Sequence, residues 1–248
     1  MRFSQKMAKL ANGRAFSSAG NRIRRFLVNW RLPVKLEPQA IIDRIDRRKF
    51  EEIYARYVVD DPGENWPKYL DLPRWIDINI NRIRAVGLDI PARKRVLDLG
   101  CGAGYFAYVA QLLGHDMVGL DIDQLPMFAE STRMLGVRRV IWRVRPFVPL
   151  PELGEKFDVV TAFMICFNNH KMPDLWGVPE WEFFLDDLAH HLKPRSRVWL
   201  EFNLEWDGTF YTPELRDYFE SRGAKTDNQK VIFTSGVLAP LSASPVAR

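Results

Sequence analysis

Cysteine is scarce in this sequence of 248 residues, which holds only Cys101 and Cys166. Two cysteines are too few for a disulfide-stapled scaffold, and such usage is typical of a reducing compartment. The sequence also lacks any run of about 18 uncharged apolar residues, so no transmembrane helix is predicted. With 47% hydrophobic and 27% charged residues, the composition is globular and excludes collagen-like, coiled-coil and wholly disordered chains.

Acidic residues are missing from residues 1–36, which carry nine Lys and Arg. Residues 1–60 hold 14 basic against 6 acidic side chains, a net of +8, and the remaining residues hold 22 against 25, a net of −3. The overall charge of +5 therefore belongs to the N-terminal arm. Because the rest of the chain is mildly acidic, a nucleic-acid partner is disfavoured.

Residues 21–32 have the pattern of a basic amphipathic helix. Ile23, Phe26, Leu27 and Trp30 recur at helical spacing, with arginines towards the other side, and Pro33 ends the helix. Three interpretations stay open. The apolar stripe packs on the protein's own domain or on a second subunit, it lies on the inner face of an anionic membrane, or the arm is a cleaved organelle presequence. The predicted location is cytoplasmic, with peripheral membrane contact as the second interpretation.

Four regions are predicted along the chain: a basic amphipathic arm (1–36), a helical cap that forms part of the substrate region (37–90), an α/β domain (91–235) and a disordered tail (236–248). In the cap, one helix is predicted from Pro38 to Tyr57 and a second ends at Gly87. From Arg95 onward strands alternate with helices, which predicts a three-layer α/β fold with a mostly parallel sheet and helices on both faces. The predicted strands are Arg95–Leu99, His115–Asp121, Arg138–Trp142, Phe157–Phe163, Arg197–Asn203 and Val231–Thr234.

A glycine-rich segment, residues 98–105 (DLGCGAGY), joins the first predicted strand to the next helix. In an open α/β sheet ligands bind here, beyond the carboxyl ends of the strands. The glycines let the backbone turn sharply and let a ligand approach the main chain. The dinucleotide fingerprint Gly-x-Gly-x-x-Gly is not met, because Tyr105 stands at its last position, so a pyrophosphate site is disfavoured.

The spacing Asp98-x-Gly100-x-Gly102-x-Gly104 resembles the first motif of the class I S-adenosylmethionine-dependent methyltransferases. Three further features follow in that family's order. The first is Asp121, which stands at the end of the second strand, 21 residues after Gly100. The second is a strand over 157–163, and the third is a helix and turn that lead into a strand within 188–200. The resemblance covers roughly residues 70–235. It implies a Rossmann-like fold with a mostly parallel, seven-stranded sheet.

The resemblance also implies S-adenosyl-L-methionine as the cofactor, lying on the glycine loop. Asp121 is then expected to accept hydrogen bonds from the two vicinal ribose hydroxyls. One carboxylate fixed at a strand end can accept from two neighbouring donors. That family often places a polar or acidic residue after strand three, but residues 141–146 hold no acid. Adenine is therefore expected to meet main-chain groups and apolar contacts from Ile122 or Val144. The predicted cofactor-binding residues are Asp98, Gly100, Cys101, Gly102, Gly104, Tyr105, Asp121, Ile122 and Phe163.

Methyl transfer requires alignment of nucleophile and methyl group, and it requires a general base where the acceptor is a poor nucleophile such as a hydroxyl. The segment after the fourth strand lacks an Asp/Asn-Pro-Pro-aromatic tetrad, which argues against methylation of adenine in DNA or RNA. It holds Asn168, Asn169 and His170 instead. His170 is a candidate proton acceptor, with a surface or structural histidine as the alternative, and both asparagines are candidates for positioning a hydroxyl. No metal site is predicted.

Aromatic residues stand on both sides of the first strands: Trp66, Tyr69 and Trp75 before them, and Trp176 and Trp181 after the fourth. They are predicted either to wall a substrate pocket or to form the interface between the N-terminal helices and the sheet.

The predicted function is an enzyme, a methyltransferase that acts in line on a small molecule or on a glycan or lipid intermediate, at oxygen. Two alternatives stay open. One is an RNA-directed methyltransferase whose basic arm contacts phosphates, and the other is a cofactor-binding regulatory protein without turnover. The sequence identifies neither the acceptor nor the oligomeric state.

Overall fold

The computed structural model describes residues 32–58, 66–168 and 172–234. Almost all of the basic arm (1–31), the candidate residues Asn169 and His170, and the tail over 236–248 lie outside these ranges. In the described residues, no helix is both long enough and apolar enough to span a bilayer. The domain boundaries given above stay predictions.

Helices precede the first strand, and strands and helices then alternate. The N-terminal part contains α1 (Pro38–Ile42), α2 (Arg47–Tyr57), a short 3₁₀ helix (Trp66–Leu70) and α3 (Leu72–Val86). The alternating part contains β1 (Arg95–Leu99), α4 (Tyr105–Leu112), β2 (Asp116–Asp121), α5 (Pro126–Met134), β3 (Arg139–Ile141), β4 (Phe157–Ile165), α6 (Val178–His190), β5 (Leu192–Phe202), α7 (Pro213–Ser221), β6 (Lys225–Asp227) and β7 (Lys230–Thr234).

The strands form one seven-stranded sheet in the order β3-β2-β1-β4-β5-β7-β6. Neighbouring strands are parallel except at β7, which pairs antiparallel with β5 and with β6. The predicted fold, a Rossmann-like and mostly parallel seven-stranded sheet with helices on both faces, is confirmed. The chain order reverses between β1 and β4, which places a crevice at the carboxyl ends of these strands.

The sheet separates two apolar cores. The α3–α4 face, as we call it, packs Val96, Val159 and Phe163 of the sheet against the helices α3 and α4. The α6–α7 face packs Leu97, Val160 and other strand residues against α6 and α7. Adjacent residues of β1 and β4 thus point to opposite faces, and burial on both sides explains why these strands are continuous apolar runs.

The prediction of a single helix from Pro38 to Tyr57 is wrong, because this range forms the two helices α1 and α2. The chain leaves the helical conformation after Ile42 and re-enters it at Arg47. The cause is an N-cap, because the carboxylate of Asp46 accepts a hydrogen bond from the backbone N–H of Lys49 at 3.1 Å. The predicted end of α3 is confirmed, since Gly87 takes a left-handed φ of 83° and caps the helix.

Candidate active site

The glycine loop between β1 and α4 is bound to the neighbouring strand β2. The backbone N–H of Gly100 donates to the carbonyl of Leu120 at 2.7 Å. Gly100, Gly102 and Gly104 have φ values of 68°, 52° and 83°, in the left-handed region that favours glycine. A Cβ on Gly104 would also lie 2.9 Å from Cγ2 of Thr132. The loop conformation therefore depends on glycine.

Asp121 ends β2 beside this loop, and main-chain donors fix its carboxylate. Its Oδ2 accepts the N–H of Gly102 at 2.5 Å, and its Oδ1 accepts the N–H of Ile122 at 2.7 Å. Burial raises the pKa of Asp121, and the two N–H groups oppose that rise. A carboxylate offers about four lone-pair directions, so capacity remains on both oxygens for two more donors. This donor and acceptor set fits a ligand with vicinal hydroxyl groups.

Asp98 of β1 lies directly beneath the loop and is almost fully buried, with 2% of its surface exposed. Its Oδ1 accepts the hydroxyl of Thr161 at 2.8 Å. Burial raises the pKa of Asp98 to about 7, although the Thr161 hydroxyl and the charge of Arg82 favour the ionised form. The carboxyl is thus close to half ionised near neutral pH, and a cation bound next to it would drive it to the charged form.

Arg82 of α3 is a residue that the sequence analysis did not single out. Its guanidinium carbon lies 4.5 Å from the centre of the Phe163 ring, and its Nε lies 3.9 Å from Oε2 of Glu201 in β5. The other Glu201 oxygen accepts the indole N–H of Trp199 at 3.2 Å. Burial lowers the pKa of Arg82, and the carboxylates of Glu201 and Asp98 oppose that effect. The α3–α4 face therefore carries a buried charged cluster at this edge.

Three further predicted cofactor residues are packed into the protein. Cys101 lies against β2, where a Cβ on Gly119 would be 2.7 Å from its Sγ, and burial raises the pKa of its thiol. Tyr105 is 3% exposed, and its hydroxyl donates to the carbonyl of Tyr69 at 2.9 Å. Phe163 packs edge-on against Phe106. Cofactor contact by Cys101, Tyr105 and Phe163 stays a prediction.

A bulge at the carboxyl end of β4 redirects the strand. The register with β5 shifts between Phe163 and Ile165, and Met164 between them has a left-handed φ of 59°. The side-chain amide of Asn203 donates to the carbonyl of Met164 and so holds the bulge in place. As a result Ile165 belongs to the α6–α7 face. A Cβ on Gly100 would lie 3.0 Å from Cβ of Ile165, so this side chain packs directly on the glycine loop.

A cleft opens on the other side of Ile165. We call it the aromatic cleft, because its walls include the rings of Phe167, Trp176, Trp181, Phe202 and Tyr211. Asn168 and Glu205 are its polar members.

The other predicted aromatic residues lie elsewhere. Tyr69 stacks on Trp75 with ring centres 4.9 Å apart, and both pack with residues of the cap. The two interpretations, a pocket wall and an interface, thus each apply to two of the four residues whose side chains are described. Trp176 and Trp181 line the cleft, whereas Tyr69 and Trp75 pack at the interface between cap and sheet.

A family model for a methyltransferase domain matches residues 72–231. Among curated proteins, the ubiquinone biosynthesis O-methyltransferase of Pseudomonas putida is 28% identical over 124 residues, which are 49% of this chain and 50% of that protein. The protein of the same name from Pseudomonas savastanoi pv. phaseolicola is 29% identical over 127 residues, with the same two shares. The chain spans about half the length of the curated relatives it matches.

Two solved methyltransferase structures are similar to this chain. A SAM-bound amino pentose methyltransferase from Micromonospora echinaspora, involved in calicheamicin biosynthesis, is 28% identical, with 61% of this chain and 54% of that chain covered and a TM-score of 0.37. A TehB-like SAM-dependent methyltransferase from Corynebacterium glutamicum is 17% identical, with 66% and 99% covered and a TM-score of 0.42.

The range matched by the family model begins at α3 and ends in β7, so it includes the glycine loop, Asp121 and the bulged end of β4. It covers more than half of the 248 residues. The resemblance seen in the sequence motifs and the cofactor they imply are confirmed. The chain belongs to the methyltransferase domain family, and it is a class I methyltransferase that uses S-adenosylmethionine.

Proposed function

We propose that this methyltransferase transfers its methyl group to a hydroxyl oxygen of a small molecule or of a glycan or lipid intermediate. The observation that carries the cofactor part of the proposal is the pairing of the glycine loop with Asp121. This carboxylate is held 2.5 Å from the N–H of Gly102, with capacity for hydroxyl donors on both of its oxygens. The arrangement supports a bound ribose at the crevice where β1 and β4 diverge.

Each part of the crevice has its own task in this proposal. The loop glycines allow close approach of the main chain, and Asp121 accepts the ribose hydroxyls. Asp98, buried beneath the loop, offers negative charge to the cationic end of the cofactor. Ile122 follows Asp121 on the side proposed for adenine. When bound, S-adenosylmethionine supplies an electrophilic methyl group on a positively charged sulfur.

Two observations support an oxygen acceptor. The curated relatives are named for O-methylation in ubiquinone biosynthesis, although they match only about half of this chain. The chain itself places Asn168 at the carboxyl end of β4, at the cleft next to the glycine loop, where an amide can orient a hydroxyl. The roles of Asn169 and His170 stay predictions, since both residues lie outside the described ranges.

Calorimetric titration with S-adenosylmethionine tests the cofactor part of the proposal. Asp121→Ala removes an acceptor that serves two hydroxyls, so we expect at least about a tenfold loss of affinity. Asp123→Ala is a matched control, because this side chain is 60% exposed and only two residues away. Circular dichroism will show whether both variants fold. Equal affinity of wild type and Asp121→Ala would refute the ribose contact.

Transfer of labelled methyl groups into fractions of a cell extract tests the acceptor. We expect label in the aqueous small-molecule or lipid fraction, in a linkage stable to the mild base that cleaves methyl esters. Label in the nucleic-acid fraction, with binding that weakens steeply as salt rises, would favour the RNA-directed alternative. Cofactor binding without transfer into any fraction would favour a regulatory protein.

A further inference from the structure

The aromatic cleft lies one side chain away from the glycine loop. Ile165 packs on Gly100 with one side and lines the cleft with the other. Its position is a consequence of the bulge at Met164, which moves Ile165 to the α6–α7 face. β-Bulges often re-aim side chains next to active sites. A group held in this cleft is therefore adjacent to the crevice that receives the methyl donor.

Glu205 gives the cleft an unsatisfied acceptor. Its Oε2 is buried and has no hydrogen-bond partner among the described residues. The short turn after β5 fixes this residue, because its N–H donates to the carbonyl of Thr209 at 2.8 Å and its carbonyl accepts the N–H of Gly208 at 3.1 Å. A buried carboxylate oxygen without a donor costs free energy, so a partner from outside the protein is expected.

The size and polarity of the cleft restrict that partner. The free volume is about 30 Å³, which accommodates about one water-sized group. A head group such as a hydroxyl can enter, and a whole ring cannot. The walls are mostly aromatic. Two pairs of their rings meet edge to face: Trp176 with Trp181, whose centres are 5.4 Å apart, and Phe202 with Tyr211. A neutral hydroxyl enters such a space at a smaller desolvation cost than an ammonium ion.

From these observations we infer that the aromatic cleft is the acceptor subsite, and that Glu205 receives the hydrogen of the acceptor's hydroxyl. The acceptor is a compound whose hydroxyl reaches into the cleft while the rest of the molecule stays outside it. This inference rests on the proposed function. As the acceptor oxygen bonds to the methyl carbon, the carbon–sulfur bond breaks with its electron pair going to sulfur, and the hydroxyl proton passes to Oε2 of Glu205 and then to water.

The test uses three benzene-ring probes and two variants of the full chain. The probes are 4-nitrophenol, which carries a hydroxyl, nitrobenzene, which lacks it, and benzylamine, which carries an ammonium group. Glu205→Gln keeps the shape of the side chain and removes its charge. Glu214→Gln is the matched control on the exposed first turn of α7. Binding is measured by equilibrium dialysis, and the ionisation of bound 4-nitrophenol is followed by its colour.

We expect wild type and Glu214→Gln to bind 4-nitrophenol more tightly than nitrobenzene, and to raise the pKa of the bound phenol. In Glu205→Gln that rise should disappear, because no carboxylate then opposes formation of the phenolate. Equal phenol ionisation in wild type and Glu205→Gln, or no binding of 4-nitrophenol to wild type, overturns the inference. Tightest binding of benzylamine, lost in Glu205→Gln, overturns the assignment of a hydroxyl.

Failure of this inference can be separated from failure of the proposed function. The probe experiment needs no methyl donor, and titration with S-adenosylmethionine should give the same affinity for wild type and Glu205→Gln. Methyl label can appear at oxygen in an extract while bound 4-nitrophenol ionises equally in wild type and Glu205→Gln. In that case only the assignment of the subsite is wrong. If Glu205→Gln changes the pKa of bound 4-nitrophenol while methyl label appears at nitrogen or in nucleic acid, the proposed acceptor is wrong.

Discussion

Asp98 provides a quantitative prediction because its carboxyl is buried and its pKa lies near neutral pH. Burial raises its pKa from 3.8 to about 7. A carboxyl whose pKa is higher in the folded state stabilises the fold most at low pH. That contribution is fully present below about pH 4 and is lost as the pH rises through about 7. Each pKa unit corresponds to about 1.4 kcal/mol, so the loss amounts to about 4 kcal/mol.

Asp98→Asn removes this titration while keeping an oxygen for the Thr161 hydroxyl. We expect the variant to match wild type at about pH 4 and to be more stable at about pH 8, by as much as about 4 kcal/mol. Urea unfolding at several pH values measures the difference. With a typical slope of 1–3 kcal/mol/M, the midpoint should move up by about 1–4 M at the higher pH.

Two further variants make the test specific to Asp98. Asp77→Asn alters an exposed carboxylate on α3 and should leave the pH dependence of wild type unchanged. Thr161→Val removes the hydroxyl that favours the ionised form of Asp98, so the fall in stability should extend to higher pH. If the stability of Asp98→Asn falls with pH as steeply as that of wild type, the buried carboxyl is not the cause and the reasoning is refuted.

The remaining predictions concern the cofactor, the loop packing and the cleft. At about pH 6, binding of S-adenosylmethionine should release protons from wild type but not from Asp98→Asn, as calorimetry in two buffers of different ionisation enthalpy will show. Gly119→Ala should destabilise the fold by about 1–3 kcal/mol in urea unfolding, because its Cβ would lie 2.7 Å from Cys101 Sγ, and Cys101→Gly should restore part of that loss. Glu205→Gln should speed alkylation of Cys166, as mass spectrometry will show. Burial and the charge of Glu205 both raise the pKa of that thiol, so removing the charge should increase the fraction of reactive thiolate.

The first half of the sheet could be predicted from the sequence because its signals are local. Strand β1 has the predicted bounds Arg95–Leu99, and β2 ends at the predicted Asp121. Both strands are buried on two faces, so they appear as continuous apolar runs, and a glycine loop separates β1 from the helix that follows. The resemblance supplied the number of strands, but their order was not predicted, since apolar periodicity does not specify which strands are neighbours.

The second half was predicted less well, for reasons that lie in the backbone. Strand β5 begins at Leu192, five residues before the predicted start, although Lys193-Pro194-Arg195 has the composition of a turn. Arg195 has a left-handed φ of 65°, and the register with β4 shifts at this point. The strand thus continues through an irregularity that a turn-like sequence conceals. Strand β6 is three residues long and was not predicted.

The charged cluster beneath the loop could not be found from spacing. Arg82 stands on a cap helix and meets Glu201 of β5, more than a hundred residues away along the chain. Thr161 of β4 completes the surroundings of Asp98. The one available signal was a break in the apolar stripe of α3, where Asn79 is buried and accepts a hydrogen bond from Arg82. Buried polar groups need partners, but the sequence does not say which strand supplies them.

The position of Ile165 shows why the acceptor side of the crevice depends on one backbone angle. Strict alternation along β4 would place Ile165 on the α3–α4 face with Val159 and Phe163. The bulge at Met164 adds one residue and moves Ile165 to the opposite face, against Gly100 and the aromatic cleft. Methionine rarely takes a left-handed φ, so nothing in the sequence marks the bulge. The tertiary structure offsets the conformational strain of that φ angle. The side-chain amide of Asn203, in the turn after β5, donates to the Met164 carbonyl and holds the two strands in the shifted register.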